Sequence, residues 1–179
     1  MATLMPIVIH ILSGSVSLSG YRFYRRDSLG RGGGVGLYVR SLISCRVFDD
    51  LLLSGECEQL WITFRLLHFN IAVGVFYRPP SGSFAAFMSN FEINLSRVSL
   101  MYDYVTILGD FNLDLLNDSN GTVNQFLALI ESYNFTQIIN EPSRVTAATA
   151  TLLDLILVSD VDRVRSHSVK PMLLLHCWI

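Results

Sequence analysis

Apolar residues recur along this chain with two periods, and the period changes from one region to the next. Residues 21–26, 34–40, 45–48, 60–65, 71–76, 105–108 and 153–158 are short runs rich in β-branched and aromatic side chains, divided by Gly, Asp, Ser or Pro. That is the pattern of strands separated by turns. Over residues 84–100 the spacing lengthens: Phe84, Phe87, Phe91, Leu95 and Val98 recur every three or four positions behind Ser83, which predicts an amphipathic helix with a serine cap. Phe126, Leu127 and Ile130 predict a second helix over 123–133, after a polar stretch at 117–122. Strands first and helix–strand alternation afterwards predict an α/β sandwich.

Candidate chemistry lies where apolar runs end. Val105-Thr106-Ile107-Leu108 stops at Gly109 and then presents Asp110-Phe111-Asn112. In an extended chain residues i and i+2 share a side, so Asp110 and Asn112 face one site while Phe111 points to the core. Residues 72–76 lead similarly into Tyr77-Arg78-Pro79-Pro80, and Asp154 stands inside the apolar run 152–158. A buried carboxylate is costly unless hydrogen-bonded, ion-paired or near a metal, and Asp154 is predicted to be one of these. Each residue taken alone also has a structural reading: Asp110 in a turn, Asn112 in an Asx turn, Tyr77 ending a strand, His176 packed in an apolar terminus. Their occurrence together favours a site.

At 179 residues the chain suits one domain with a sizeable core. Hydrophobic residues are 51% and charged residues 16%, a balance that buried strands explain. No apolar run approaches the ~20 residues of a membrane-spanning helix, so no membrane span is expected. The apolar stretch 4–12 has no basic residue before it and no Ala-x-Ala site after it, unlike a signal peptide. Cys45, Cys57 and Cys177 are far apart and form no metal or disulfide spacing, which fits an intracellular protein. The net charge of −2 makes no global case for nucleic acid. Its distribution is more suggestive: Arg22, Arg25, Arg26 and Arg31 fall among Tyr21, Phe23 and Tyr24, and arginine's planar fork suits phosphate. A solvated strand edge is the other reading. The glycines from Gly30 to Gly36 do not complete a nucleotide-binding loop, since Val35 stands where G-x-G-x-x-G needs glycine and no Gly-Lys-Ser/Thr follows. They read as a turn opening a strand.

Taken in order, Arg31-Gly32-Gly33-Gly34-Val35-Gly36-Leu37-Tyr38, Tyr77-Arg78-Pro79-Pro80, Leu108-Gly109-Asp110-Phe111-Asn112, Arg144-Val145-Thr146 and Thr151-Leu152-Leu153-Asp154-Leu155-Ile156 give the chain a resemblance to a known family. It resembles the endonuclease domain of non-LTR retrotransposons, within the endonuclease/exonuclease/phosphatase superfamily of DNase I-like nucleases. The resemblance covers residues 20–179, leaving 1–19 as an atypical N-terminal segment. It implies a four-layer α/β/β/α sandwich and Mg²⁺-dependent hydrolysis of DNA phosphodiesters. It also implies DNA as partner and an origin in a larger polyprotein with a reverse transcriptase. By the same resemblance Asp110 aligns or deprotonates the attacking water, Asn112 holds water and phosphate, and Tyr77 contacts the phosphate. Asp154 orients the site or the metal, His176 supports the phosphate, and Asp110 and Asp154 are the implied metal ligands. Arg22, Arg25, Arg26, Arg31 and Arg144 are the implied nucleic-acid contacts.

Two departures bear on activity. Family members end in Ser-Asp-His before a short apolar strand, whereas Leu175 precedes His176 here; in a serine protease, losing the acid that orients a catalytic histidine costs about 10⁴ in turnover. The family's opening strands carry an asparagine and a metal-binding glutamate. Here only 20 residues precede Tyr21, the first acid is Asp27 and the first glutamate is Glu56. The expectation is a fold lacking its first strands and a nuclease that is impaired or inactive. Two alternatives are a non-catalytic nucleic-acid- or protein-binding remnant using the Arg22–Arg31 patch, and a phosphatase of the same superfamily. The Tyr-Arg-Pro-Pro and Gly-Gly-Gly-Val signatures argue against the phosphatase.

Overall fold

The computed structural model describes residues 6–10, 17–28, 34–49, 57–117, 119–164, 166–170 and 174–178, with backbone only for 6–10, 166–170 and 174–178. Strands β1 (Pro6–His10), β2 (Tyr21–Asp27), β3 (Gly34–Arg40), β4 (Cys45–Val47), β5 (Glu58–Leu66) and β6 (Phe69–Tyr77) lead to helix α1 (Phe84–Met101). Strand β7 (Tyr104–Asp110) leads to helix α2 (Gly121–Ser132). There follow β8 (Thr136–Gln137), β9 (Arg144–Val145), β10 (Ala150–Thr151), β11 (Asp154–Val158), β12 (Ser166–Lys170) and β13 (Leu174–Trp178). One sheet has five strands in the order β12-β13-β1-β3-β2, another has six in the order β4-β5-β6-β7-β11-β8, and β9 and β10 form a separate two-stranded hairpin.

The alternation of side chains sets the two faces of the six-stranded sheet. Phe76 turns to the helices, its ring 5.4 Å from Phe91 and 5.5 Å from Trp61, and Phe111 joins Phe87, Phe91 and Phe126 on that side. Val73 and Val75 take the opposite face and share the core with Leu60 and Ile62 and with Val35, Leu37 and Val39 of β3. The two sheets therefore pack face to face, with α1 and α2 covering the six-stranded one. These are three of the four layers implied by the resemblance; among the described residues no helix covers the five-stranded sheet. Strands β6 and β7 are parallel, and α1 makes the crossover that parallel neighbours require. Ser83 caps α1 by accepting from the Ala86 N–H at 3.3 Å.

Several boundaries differ from the sequence expectation. Strand β5 begins two residues earlier, at Glu58, and β6 runs on to include Tyr77. Helix α2 starts at Gly121 because Asn120 supplies the cap, accepting from the Thr122 N–H at 3.0 Å. Pro6–His10, in the segment set apart at the N-terminus, is an inner strand paired with β13 and β3. Its β-branched Ile7, Val8 and Ile9 suit that position. Among the described residues no helix is long and apolar enough to cross a membrane.

Gly109 lies opposite Phe76 on β6 and Leu155 on β11. It has φ +151°, and a Cβ there would fall 1.9 Å from the Phe76 carbonyl oxygen. Backbone cannot yield as a flexible side chain does, so Gly109→Ala is expected to cost at least about 3 kcal/mol. Urea unfolding monitored by Trp fluorescence checks this, and a cost under about 1 kcal/mol would show that the strands can separate locally.

Candidate active site

Strand register builds the site. Glu58 on β5 pairs with Tyr77 on β6, Tyr77 with Asp110 on β7, and Asp110 with Asp154 on β11. Directly paired residues point to the same face, so these four form one row across four strands, on the face opposite Phe76. With neighbouring strands ~4.8 Å apart, Tyr77, Asp110 and Asp154 span about 10 Å of backbone. Asn112 follows just beyond the end of β7. Thus Tyr77, Asp110, Asn112 and Asp154 are gathered at one end of the sandwich. His176 is on β13 of the other sheet, paired with Val8 and Ser168; its side chain lies outside the described residues.

Asp110 is almost fully buried, and both of its oxygens are engaged. Oδ2 is 2.5 Å from the Arg144 guanidinium, and Oδ1 accepts the Asn112 N–H at 2.9 Å. Asn112 adopts φ +47°, a left-handed conformation that asparagine tolerates well, and its Nδ2 donates to the Arg78 carbonyl at 2.7 Å. Arg78 answers from the end of β6. Its N–H donates to the Asp110 carbonyl (2.9 Å), Nε to the Phe111 carbonyl (2.6 Å) and a terminal nitrogen to the Asn112 carbonyl (2.9 Å). The guanidinium also lies 5.7 Å from the Phe87 ring centroid. One buried arginine thus clamps the loop that carries Asp110 and Asn112.

Asp154 is anchored through Ser143, whose Oγ accepts the N–H groups of Leu153 and Asp154 at 3.0 Å each. Asp154 Oδ1 has no partner, and neither does buried Glu58 Oε2. Burial pushes the carboxyl groups of Asp110 and Asp154 above their ordinary value, and Arg144 pulls both back in part. For Asp110 the Asn112 N–H opposes burial as well, while the neighbouring Asp154 charge adds to the rise. Burial pushes Arg78 down, against Asp110, which raises it.

Carboxylates near one another invite a metal, but this donor set does not complete a magnesium site. Each Asp110 oxygen already accepts from an N–H donor, and no group of three His, Cys, Asp or Glu among the described residues is placed to hold an ion. The arginine patch is also more constrained than its sequence suggests. Arg25 pairs with Asp27, Arg26 with Asp49, and Arg22 donates to the Tyr24 hydroxyl at 3.2 Å. All three lie on β2 at the edge of the five-stranded sheet, and Arg31 is outside the described residues. Sequence reasoning passed over three contributors. Arg78 stood in a quoted motif without a role, Glu58 was excluded by starting β5 too late, and Ser143 acts over 11 residues with no periodic signal.

No protein-family model matches the chain, and no curated protein matches it. Solved structures do match. The endonuclease domain of TRAS1, a telomere-specific non-LTR retrotransposon, superimposes with a TM-score of 0.71 at 12% identity, covering 90% of this chain and 79% of that one. TDP2 from D. rerio, complexed with a single-strand DNA product, gives 0.60 at 10% identity, covering 89% and 76%. A mannosyl-6-phosphatase from Bacteroides thetaiotaomicron gives 0.52 at 13% identity, covering 90% and 76%. The chain has the DNase I-like fold of endonuclease/exonuclease/phosphatase proteins, shared by nucleases and phosphatases.

The raised carboxyl of Asp154 has a consequence for stability. A raised native value means that ionisation favours the unfolded chain: the penalty is full at neutral pH and disappears as pH falls through the native value toward the ordinary 3.8. Asp154→Asn is therefore expected to be more stable than the parent at pH 7, by about 1 kcal/mol, with the gap closing toward pH 4. Urea unfolding of both proteins across that range measures it, and a gap independent of pH would contradict the assignment.

Proposed function

We propose that this chain is a DNA-binding domain of retrotransposon-endonuclease type whose site addresses a backbone phosphodiester and whose hydrolytic rate is strongly reduced. The observation that carries this reading is the Tyr77–Asp110–Asp154 row with Asn112 clamped beside it, at the end of a sandwich whose fold occurs in nucleases. The likeness to the TRAS1 domain favours a retrotransposon origin, in a polyprotein with a reverse transcriptase, over a small-molecule phosphatase.

Hydrolysis needs a water to be oriented or deprotonated, charge on the phosphate to be stabilised and the leaving oxygen to be neutralised. Tyr77 offers a hydroxyl to a phosphate oxygen. Asn112 has spent its Nδ2 on the Arg78 carbonyl, which leaves its carboxamide oxygen to orient a water. Asp110 would be the base, yet an ion pair and a backbone N–H hold its two oxygens. Each oxygen keeps a second lone pair, but these contacts draw on the negative charge that a base needs and lower its pull on a proton. Leu175 removes the acid that would fix the tautomer of His176. These deficits act at different atoms and compound: binding is retained while turnover is lost.

Nicking of supercoiled plasmid with Mg²⁺ tests the reading on this chain, Asp110→Ala and Leu175→Asp. The expected result is plasmid retention on gels with no nicking by the parent above Asp110→Ala, and at most about tenfold recovery in Leu175→Asp, because Asp110 stays engaged. Robust nicking abolished by Asp110→Ala would overturn the impaired reading. Absence of DNA retention would overturn the DNA reading.

A further inference from the structure

We propose that Arg144 is the resident cation of this site and that it holds a DNA phosphodiester without a divalent metal. The inference rests on the DNA reading above and says how the phosphate is gripped. Asp110 is 4% exposed and Arg144 is 46% exposed, so an approaching phosphate meets the guanidinium first and the carboxylates lie behind it. A metal bridging both Asp110 oxygens would have to compete with this arginine for Oδ2. A phosphate would not, because the guanidinium has five N–H donors in a planar fork. One nitrogen is on Asp110, and the rest of the fork matches phosphate oxygens in a bidentate geometry.

The arginine is also held ready. The preceding Ser143 is fixed by its N–H to the Thr151 carbonyl (2.9 Å) and by its Oγ to the Leu153 and Asp154 amides. The β9–β10 hairpin closes on itself through the Thr146 N–H to the Thr149 carbonyl at 2.8 Å. Buried Arg78, clamped to the same loop, adds positive charge beside Asp110. Tyr77, in the same row, supplies a neutral donor. Each of these is in place before ligand arrives, which lowers the ordering cost of binding.

Fluorescence anisotropy of labelled single-stranded and duplex oligonucleotides, in EDTA and in Mg²⁺, decides the matter on the full chain and its variants. The parent is expected to bind in EDTA within about twofold of its affinity in Mg²⁺. Arg144→Gln should weaken binding at least tenfold and reduce the salt slope by about one, with circular dichroism confirming the fold. Replacing the locally paired Arg25 and Arg26 with alanine should have a smaller effect. Asp110→Asn frees Arg144 and removes a negative charge, so it should tighten binding in EDTA; this variant decides the question if Arg144→Gln fails to fold. Binding that requires Mg²⁺, an unchanged affinity in Arg144→Gln, or weaker binding in Asp110→Asn would each overturn the inference while leaving the DNA reading intact. No DNA binding under either condition would overturn both.

Discussion

The close approach of β7 to β6 at Gly109 is the constraint on which the site depends. Nothing larger than hydrogen fits between this residue and the Phe76 carbonyl, and that contact fixes the parallel register from Ile71 opposite Tyr104 to Tyr77 opposite Asp110. A slip of one residue would turn every side chain of β7 to the other face. Asp110 would then be driven among Phe76, Phe87 and Phe126, and Phe111 would leave the aromatic cluster it completes. Apolar packing on one face and polar chemistry on the other are therefore consequences of a single register.

That register brings its own electrostatic problem. It aligns carboxylates at a buried end of the sandwich, where their charges are costly. Neighbouring segments supply a partial remedy: Arg144 of β9 and the Asn112 amide for Asp110, and Arg78 for the carbonyls of the connecting loop, while Ser143 holds the Asp154 backbone. The same contacts that stabilise Asp110 in the fold compete with any proton or ligand for its oxygens. Satisfying these groups internally is what the proposed phosphate-directed site with weak turnover rests on, and its DNase I-like fold is shared by nucleases and phosphatases.

Much of the sheet was legible because buried strands announce themselves through β-branched runs. Gly109, Asp110 and Tyr77 stood out as polar or turn residues at the ends of such runs. Asp154 stood out as an acid inside one. The helices were legible from Phe87, Phe91, Leu95 and Phe126 at helical spacing. Tertiary contacts with no local signature were not. Arg144 meets Asp110 across 34 residues, and nothing in the sequence between them marks the pair. Glu58 was lost because a charged residue seemed to lie outside an apolar strand, although the register makes it the first member of the row. The arginines of β2 could be read as a phosphate patch or as a solvated strand edge; that Asp27 and Asp49 pair with two of them depends on side-chain geometry. Strand β1 was missed because its partners, β13 and β3, come from distant parts of the chain.

The central claim is that Asp110 and Arg144 act as one unit, the carboxylate positioned by register and the guanidinium serving as its cation. A double-mutant cycle on unfolding free energy, combining Asp110→Asn and Arg144→Gln, measures that coupling directly. The account predicts a favourable coupling of about 1 kcal/mol or more, because one partner is buried even though the other is half exposed. Additivity of the two substitutions to within about 0.3 kcal/mol would contradict it.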